Sequence, residues 1–429
     1  MKVIVLPKSN EWNALCERPA FNQAQLEENV QEIIENVRKK GDEALSKYSL
    51  AFDGLKIENF LVTQKEIDIT KNKVSQELKE AIQLAKTNIE RFHASQLEES
   101  KVIETSVGVT CWRKSVGIEK VGLYIPGGTA PLFSTILMLG IPAQIAGCNE
   151  VILCSPPQKD GSLNPAILYT ANLVGITKIY KVGGAQAIAA MAFGTVQIPQ
   201  VYKIFGPGNQ DVTKAKELIQ REGISIDMPA GPSEVLVIAD ETCIPAFVAA
   251  DLLSQAEHGA DSQVILLSNS MAIIQEVMTE LDQQLEQLTR KEFAEKALNN
   301  SRAIQLNSIE TCIDFSNNYA PEHLIIASEN ADKYVGSIVN AGSVFLGNYS
   351  CESAGDYASG TNHTLPTNGY AKNYSGVSVD SFVRKITFQS LSKKGIQNIG
   401  PSIELMAEAE ALFAHKNAVT IRLNSLQND

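Results

Sequence analysis

The sequence predicts an α/β fold with two successive parallel-sheet domains, preceded and followed by mainly helical segments. Three observations carry this. Short β-rich runs (Val121-Gly-Leu-Tyr-Ile, Val151-Ile-Leu-Cys, Lys178-Ile-Tyr-Lys-Val, Lys203-Ile-Phe and Ile224-Ser-Ile-Asp) alternate with helical stretches such as Ser134–Gly147. Apolar strands in such alternation are parallel and covered by helices on both faces. A second series follows: Glu234-Val-Leu-Val-Ile-Ala, Gln263-Val-Ile-Leu-Leu, His323-Leu-Ile-Ile-Ala and Gly342-Ser-Val-Phe-Leu-Gly. Finally, the turns Pro126-Gly-Gly, Gly183-Gly and Gly206-Pro-Gly-Asn close strands of the first series, where bare backbone lets a ligand approach.

The elements divide the chain at 1–119, 120–230, 231–379 and 380–429. In the first part, 22–50 and 65–97 space their apolar residues as amphipathic helices, with a short strand-like Phe60-Leu-Val-Thr between them. His93 belongs to this helical part and reads as a structural residue. The two α/β domains meet at Met228-Pro-Ala-Gly-Pro-Ser, a hinge-like stretch. They are Rossmann-like but incomplete, with no Gly-x-Gly-x-x-Gly and no Walker loop, so nothing local specifies a nucleotide. The tail reads as helix around Ile403-Glu-Leu-Met, then a final strand Ala418-Val-Thr-Ile-Arg-Leu, and has little core of its own.

At 429 residues, 44% hydrophobic and 20% charged, the chain can bury more than one core. Its net charge of −12 includes no basic stripe, which argues against nucleic acid as a partner. Seven cysteines lie scattered, mostly in apolar runs and never as Cys-x-x-Cys, the pattern of reduced, buried thiols. No stretch has the length of a membrane span, and the apolar run at the start is too short for a signal peptide. The expectation is a cytoplasmic protein without membrane partners.

Chemistry concentrates around four of the five histidines, His258, His323, His363 and His415, each with a carboxylate or amide close in sequence. Gln255 and His258 stand three apart at the end of a predicted helix, stopped by Gly259 as a left-handed cap, so both project from one face. An amide oxygen and an imidazole make half of a plausible zinc site. Glu322 and His323 place two proton carriers at the start of a strand, directly after Pro321. These residues alone give a plausible metal site and an acid–base pair, and they leave open a zinc hydrolase, a two-lobed binding protein, or an aldehyde dehydrogenase with a cysteine nucleophile.

Six runs narrow the choice. Val121-Gly-Leu-Tyr-Ile-Pro-Gly-Gly, Lys203-Ile-Phe-Gly-Pro-Gly-Asn, Asp227-Met-Pro-Ala-Gly-Pro-Ser-Glu, Leu252-Leu-Ser-Gln-Ala-Glu-His-Gly, Ala320-Pro-Glu-His-Leu and Gly355-Asp-Tyr-Ala-Ser-Gly-Thr-Asn-His resemble, in order, the motifs of the histidinol dehydrogenase family. The resemblance implies NAD-dependent four-electron oxidation of L-histidinol to L-histidine via histidinal, the last step of histidine biosynthesis. It implies one zinc per subunit, held by Gln255, His258, Asp356 and His415. It also implies Glu322 as activator of water, His323 as base, and substrate contacts from Ser233, His363 and Glu410 besides the ligands and base. NAD contacts carry over to Tyr124, Gln186 and Asn209, and a homodimer with shared active sites is implied. Cys351 departs from the family's proline in Ser-Pro-Glu-Ser, Ala260 stands where proline often follows the glycine, and Gly140 replaces the usual alanine.

Overall fold

A computed structural model describes residues 1–19, 23–127 and 131–427; the expected helix start at Asn22 and the turn residue Gly128 lie outside them. The first sheet is parallel, in the spatial order Lys178–Lys181, Glu150–Ser155, Lys120–Tyr124, Lys203–Phe205, Ser225–Ile226. Counted along the chain, its strand order is 3-2-1-4-5. The second sheet repeats that order with Arg302–Gln305, Gln263–Ser268, Glu234–Ala239, His323–Ala327 and Ser343–Leu346, again all parallel. Two α/β units of one topology thus follow each other, as the two series of strands imply.

Burial explains the composition of these strands. Every residue of Glu234–Ala239, Gln263–Ser268 and His323–Ala327 is buried, because helices cover both faces. The helix Phe133–Ile145 is buried without interruption from Ser134 to Ala143, so it carries no polar stripe. Gly140 faces Val174 and Ile176 here, and a methyl at that position would have to displace them.

Four expectations need correction. The helices expected over 22–50 and 65–97 are each divided. Gln23–Lys40 stops at Gly41, whose φ of 54° only glycine adopts freely, and Asp42–Tyr48 resumes after it. Gln64–Thr70 opens on a Thr63–Glu66 capping box, and Gln76–Ala94 on Ser75, whose hydroxyl accepts the Leu78 N–H. Second, the segment before 120 is more than helical. Lys2–Val5 adds a sixth parallel strand to the second sheet beside Arg302–Gln305, and Ile103–Ser106 pairs with Val109–Gly117. Third, the tail contains a strand, Val383–Leu391, that completes this antiparallel sheet against Val109–Gly117, with Phe388 stacked on Trp112 at 5.4 Å. Last, the strand expected at Ala418–Leu423 lies inside the helix Phe413–Ser425. Val419, Thr420 and Ile421 favour a strand locally, but no sheet edge stands beside them. The helix instead packs on Lys393–Ala409, with Thr420 hydroxyl donating to Glu404.

The two main sheets meet with opposite polarity. Tyr124 ends a strand at the carboxyl edge of the first sheet, and Gln186 and Asn209 follow strands there. Ser233, Glu322 and His323 stand at the amino edge of the second. The link carrying Asn362 and His363 crosses between them: Asn362 Nδ2 donates to Met138 O at 2.6 Å, and His363 Nε2 lies 3.0 Å from Thr135 Oγ1. Among the described residues no helix is long and apolar enough to cross a membrane.

Candidate active site

The cluster begins at Glu234, first residue of the central strand of the second sheet. Its backbone N–H donates to Glu322 Oε2 at 2.9 Å, and its carbonyl lies 3.2 Å from His323 Nδ1. A carbonyl can only accept, so Nδ1 of His323 carries a proton and Nε2 is the nitrogen free for chemistry. That Nε2 is buried without a hydrogen-bond partner and lies 3.7 Å from Asp356 Oδ1, itself unpaired. Glu322 Oε2 stands 3.7 Å from His323 Nδ1 on the other side.

Glu234 is held from behind. Arg18 grips its carboxylate at 2.6 and 3.0 Å while its guanidinium lies 3.9 Å from the centre of the Tyr319 ring. The N–H of Asn368 donates to the same carboxylate at 2.9 Å. An N-terminal arginine thereby fixes the backbone that orients the acid–imidazole pair.

Gln255 is fully buried in the last turn of the helix Pro245–Ala256. The helix ends at Glu257 in right-handed geometry, φ −75°, and Gly259 is not among the positive-φ glycines, so the expected left-handed cap at Gly259 is absent. His258 lies just past that end, its Nδ1 3.4 Å from Ser233 Oγ; the residue is partly open to solvent in the single chain, yet desolvation of the imidazole lowers its pKa. Asp356 sits on the short helix Glu352–Tyr357. His363 Nδ1 donates to Asp356 O at 2.9 Å, leaving Nε2 to accept from the Thr135 hydroxyl. Cys351 precedes this helix at φ −77°, a value that proline also takes, so its backbone needs no change from the family pattern.

Electrostatics set the protonation of the group. Burial pushes the Glu322 carboxyl up to about 7, against the pull of His323. Burial would lower His323, but the charges of Glu352, Glu322 and Asp356 outweigh it and raise the imidazole to about 10. Asp356 is buried too, yet its contacts with His323 and His363 hold it below the usual carboxylate range. Burial lowers His363, which stays neutral. A proton thus rests on His323, and burial raises the neighbouring Glu352 well above the usual carboxylate range as well.

Sequence reasoning missed Glu352. Its carboxylate is 1% exposed, and its ligand atom, with those of His258 and Asp356, falls within a 4.8 Å group able to hold a metal ion. The Gln255 amide lies against it, and satisfies both of its ends only when its nitrogen is the end that faces Glu352. The available signal was its spacing, four residues before Asp356 and so on one helical face. Arg18 offered none, lying 216 residues from its partner.

The other expected residues fall in two places. At the first sheet, the buried Tyr124 hydroxyl accepts the Gly184 N–H at 3.0 Å, and burial holds its pKa up to about 12. Gln186 is buried in the first turn of Gly184–Phe193 with its Oε1 unpaired, and Asn209 caps Gln210–Gln220 by accepting the Val212 N–H at 3.1 Å. Glu410 and His415 are elsewhere: both are exposed on the two tail helices, and neither bonds to the cluster within one chain.

Comparison with known proteins covers nearly the whole chain. Residues 16–423 match the family model described as histidinol dehydrogenase. The chain is 58% identical over 427 residues to histidinol dehydrogenase of Bacteroides thetaiotaomicron, covering 100% of both. It is 51% identical over 425 residues to that of Xylella fastidiosa, covering 97% of this chain and 99% of the relative. The crystal structure of histidinol dehydrogenase from Elizabethkingia anophelis aligns with a TM-score of 0.98 at 60% identity, over 100% of this chain and 99% of that one. The chain therefore belongs to the histidinol dehydrogenase family, oxidoreductases of histidine biosynthesis.

Proposed function

We propose that this protein oxidises L-histidinol to L-histidine by way of histidinal, with two NAD consumed per histidine, as a cytoplasmic homodimer with shared sites. The observation that carries the reading is the buried His323 imidazole, with Nδ1 committed to the Glu234 carbonyl, Nε2 free, and Glu322 beside it. His323 Nε2 takes the hydroxyl proton as hydride leaves the alcohol carbon for NAD. The aldehyde then adds water, and Glu322 accepts the proton of that water. His323 returns its proton to the carbonyl oxygen as the water adds, which leaves Nε2 free to accept a hydroxyl proton of the hydrate while the second hydride passes to a second NAD. Burial between the two sheets keeps bulk water from the intermediate.

The donor set suits zinc. His258 and Asp356 present nitrogen and oxygen ligands close together, Asp356 Oδ1 is buried and unpaired, and the Gln255 amide lies against the same group. Gln255, His258 and Asp356 of one chain would hold the ion together with His415 from a second copy. Bound there, zinc would orient the substrate through its amine and imidazole and offset the carboxylate charge that keeps His323 protonated. Tyr124, Gln186 and Asn209, at the carboxyl edge of the first sheet, would take the dinucleotide, as ligands of doubly wound sheets do. Ser233, His363 and Glu410 would contact the substrate.

The test is NADH absorbance with histidinol as substrate, alongside zinc analysis. The reading expects two NADH per histidinol consumed and one zinc per chain. One NADH, or full turnover by demonstrably zinc-free protein, overturns it.

A further inference from the structure

We propose that Glu352 is a positioning residue of the metal site, which fixes the orientation of the Gln255 amide so that its oxygen, not its nitrogen, is available to the ion. The inference rests on the metal reading above and adds a residue to it.

An amide has two ends of nearly the same shape, and only the oxygen can ligate a cation. Which end faces the ion is decided by hydrogen bonds. Gln255 is fully buried, so water cannot make that choice. Glu352 can: with the amide nitrogen turned toward its carboxyl and the oxygen toward the Glu234 N–H both ends are partnered, whereas the opposite orientation leaves the oxygen facing only acceptors and the nitrogen only a donor. The Gln255 oxygen, 3.1 Å away, then shares the Glu234 N–H with Glu322 and keeps a second lone pair.

Glu352 is itself held. Its short helix packs on Pro245–Ala256, and its backbone N–H faces Asp251, which stands four residues before Gln255 there. It also shares a helical face with Asp356, so one rigid turn presents both an expected ligand and the residue that orients another. Its carboxylate oxygen lies within 4.8 Å of the ligand atoms of His258 and Asp356, which puts the amide it holds at the site itself. A glutamine at 352 would offer the amide both a donor and an acceptor, and Gln255 could then settle either way round.

The experiment uses the full chain, stripped with chelator and titrated with Zn²⁺ against a chromophoric chelator of known affinity. Glu352→Gln should lose about 10–100-fold in zinc affinity, the usual cost of removing a group that orients a ligand. Thermal melts of the zinc-free protein should show Tm unchanged or raised, since a buried carboxyl has been replaced by a neutral amide of the same shape. Losing a charge beside the ion would also weaken zinc, so the deciding measurement is the Glu352→Gln, Gln255→Ala double-mutant cycle. If Glu352 acts through Gln255, adding Glu352→Gln to Gln255→Ala changes affinity less than twofold. Additive losses overturn the proposal and leave Glu352 as a ligand or a mere charge. A wild-type chain that binds zinc no better than His258→Ala overturns both the proposal and the metal reading. Should Glu352→Gln fail to fold, the cycle is run with Glu352→Asp, which keeps the charge but withdraws the acceptor; additivity again refutes.

Discussion

Two inactive variants should rescue one another. Within one chain the cluster brings together His258, Asp356 and Gln255, whereas His415 and Glu410 sit on tail helices exposed to solvent. No residue of Phe413–Ser425 is buried in the single chain, and Leu405, Met406 and Phe413 are exposed by 69, 66 and 62%. Helices with such a surface gain burial by lying on another copy, and a two-fold contact does so twice with the same residues. Mix His258→Ala and His415→Ala chains in equal amounts, unfold and refold them together, and about half of the dimers are mixed. If the tail crosses over, each mixed dimer has one site with both lesions and one with none, so about a quarter of wild-type activity returns. If the tail folds back on its own chain, every site keeps one lesion and nothing returns. The assay is NADH production after refolding, with mass spectrometry of tagged chains to count mixed dimers. No recovery in a sample containing the expected share of mixed dimers refutes the shared site.

Other outcomes follow from the same geometry. Glu322→Gln should slow the aldehyde-to-acid step by about 10²–10⁴-fold while sparing the first oxidation, and His323→Asn should slow both, as single-turnover assays with histidinol and histidinal will report. Lys216 and Asp227 form a buried ion pair that clamps Gly206 by both its N–H and its carbonyl. Lys216→Met strands Asp227 and should cost roughly 3–5 kcal/mol in urea unfolding, with a raised KM for NAD because Gly206 seats Tyr124 and leads to Asn209. Unchanged stability would mean the pair is not what holds that turn. Cys154 is fully buried, and burial pushes the Cys148 thiol up to about 11, so neither is a nucleophile. Replacing both by Ala should leave kcat within a few-fold and lower stability by about 1 kcal/mol each; a 10³-fold loss of kcat in a folded variant would restore thiol chemistry.

What was legible in the sequence was whatever the chain encodes over a few residues. Apolar runs such as Glu234–Ala239 announce buried parallel strands because both of their faces are covered, and glycine turns announce where strands end. The tail was misread for the converse reason. Val383–Leu391 forms a strand because Val109–Gly117, some 270 positions earlier, offers an edge, while the more β-branched Ala418–Leu423 has none and stays helical. Propensity ranks candidates, and pairing partners decide. The site divides along the same line. Gln255 with His258, and Glu322 with His323, are local signals, but Arg18 and Glu352 matter through partners that are distant in sequence.

The distribution of charge explains why these polar groups survive inside the fold. Asp251 and Gln255 recur at a spacing of four on one helix, Glu352 and Asp356 on the next, with Glu322 beside them. Burial pushes Asp251 to about 7 and Glu352 well above its ordinary value, so the arrangement works against folding on its own account. Like charges four apart on a helix add to that cost. Three imidazoles stand against four carboxylates, and His363, held neutral by burial, offsets none of them. A fold gains nothing in packing from such a seam, since apolar residues of the same volume would be more stable. Its retention at the amino edge of the second sheet is understandable as the requirement of a cationic occupant. A divalent ion would convert surplus negative charge from a liability into affinity, as the zinc proposed for this place would do.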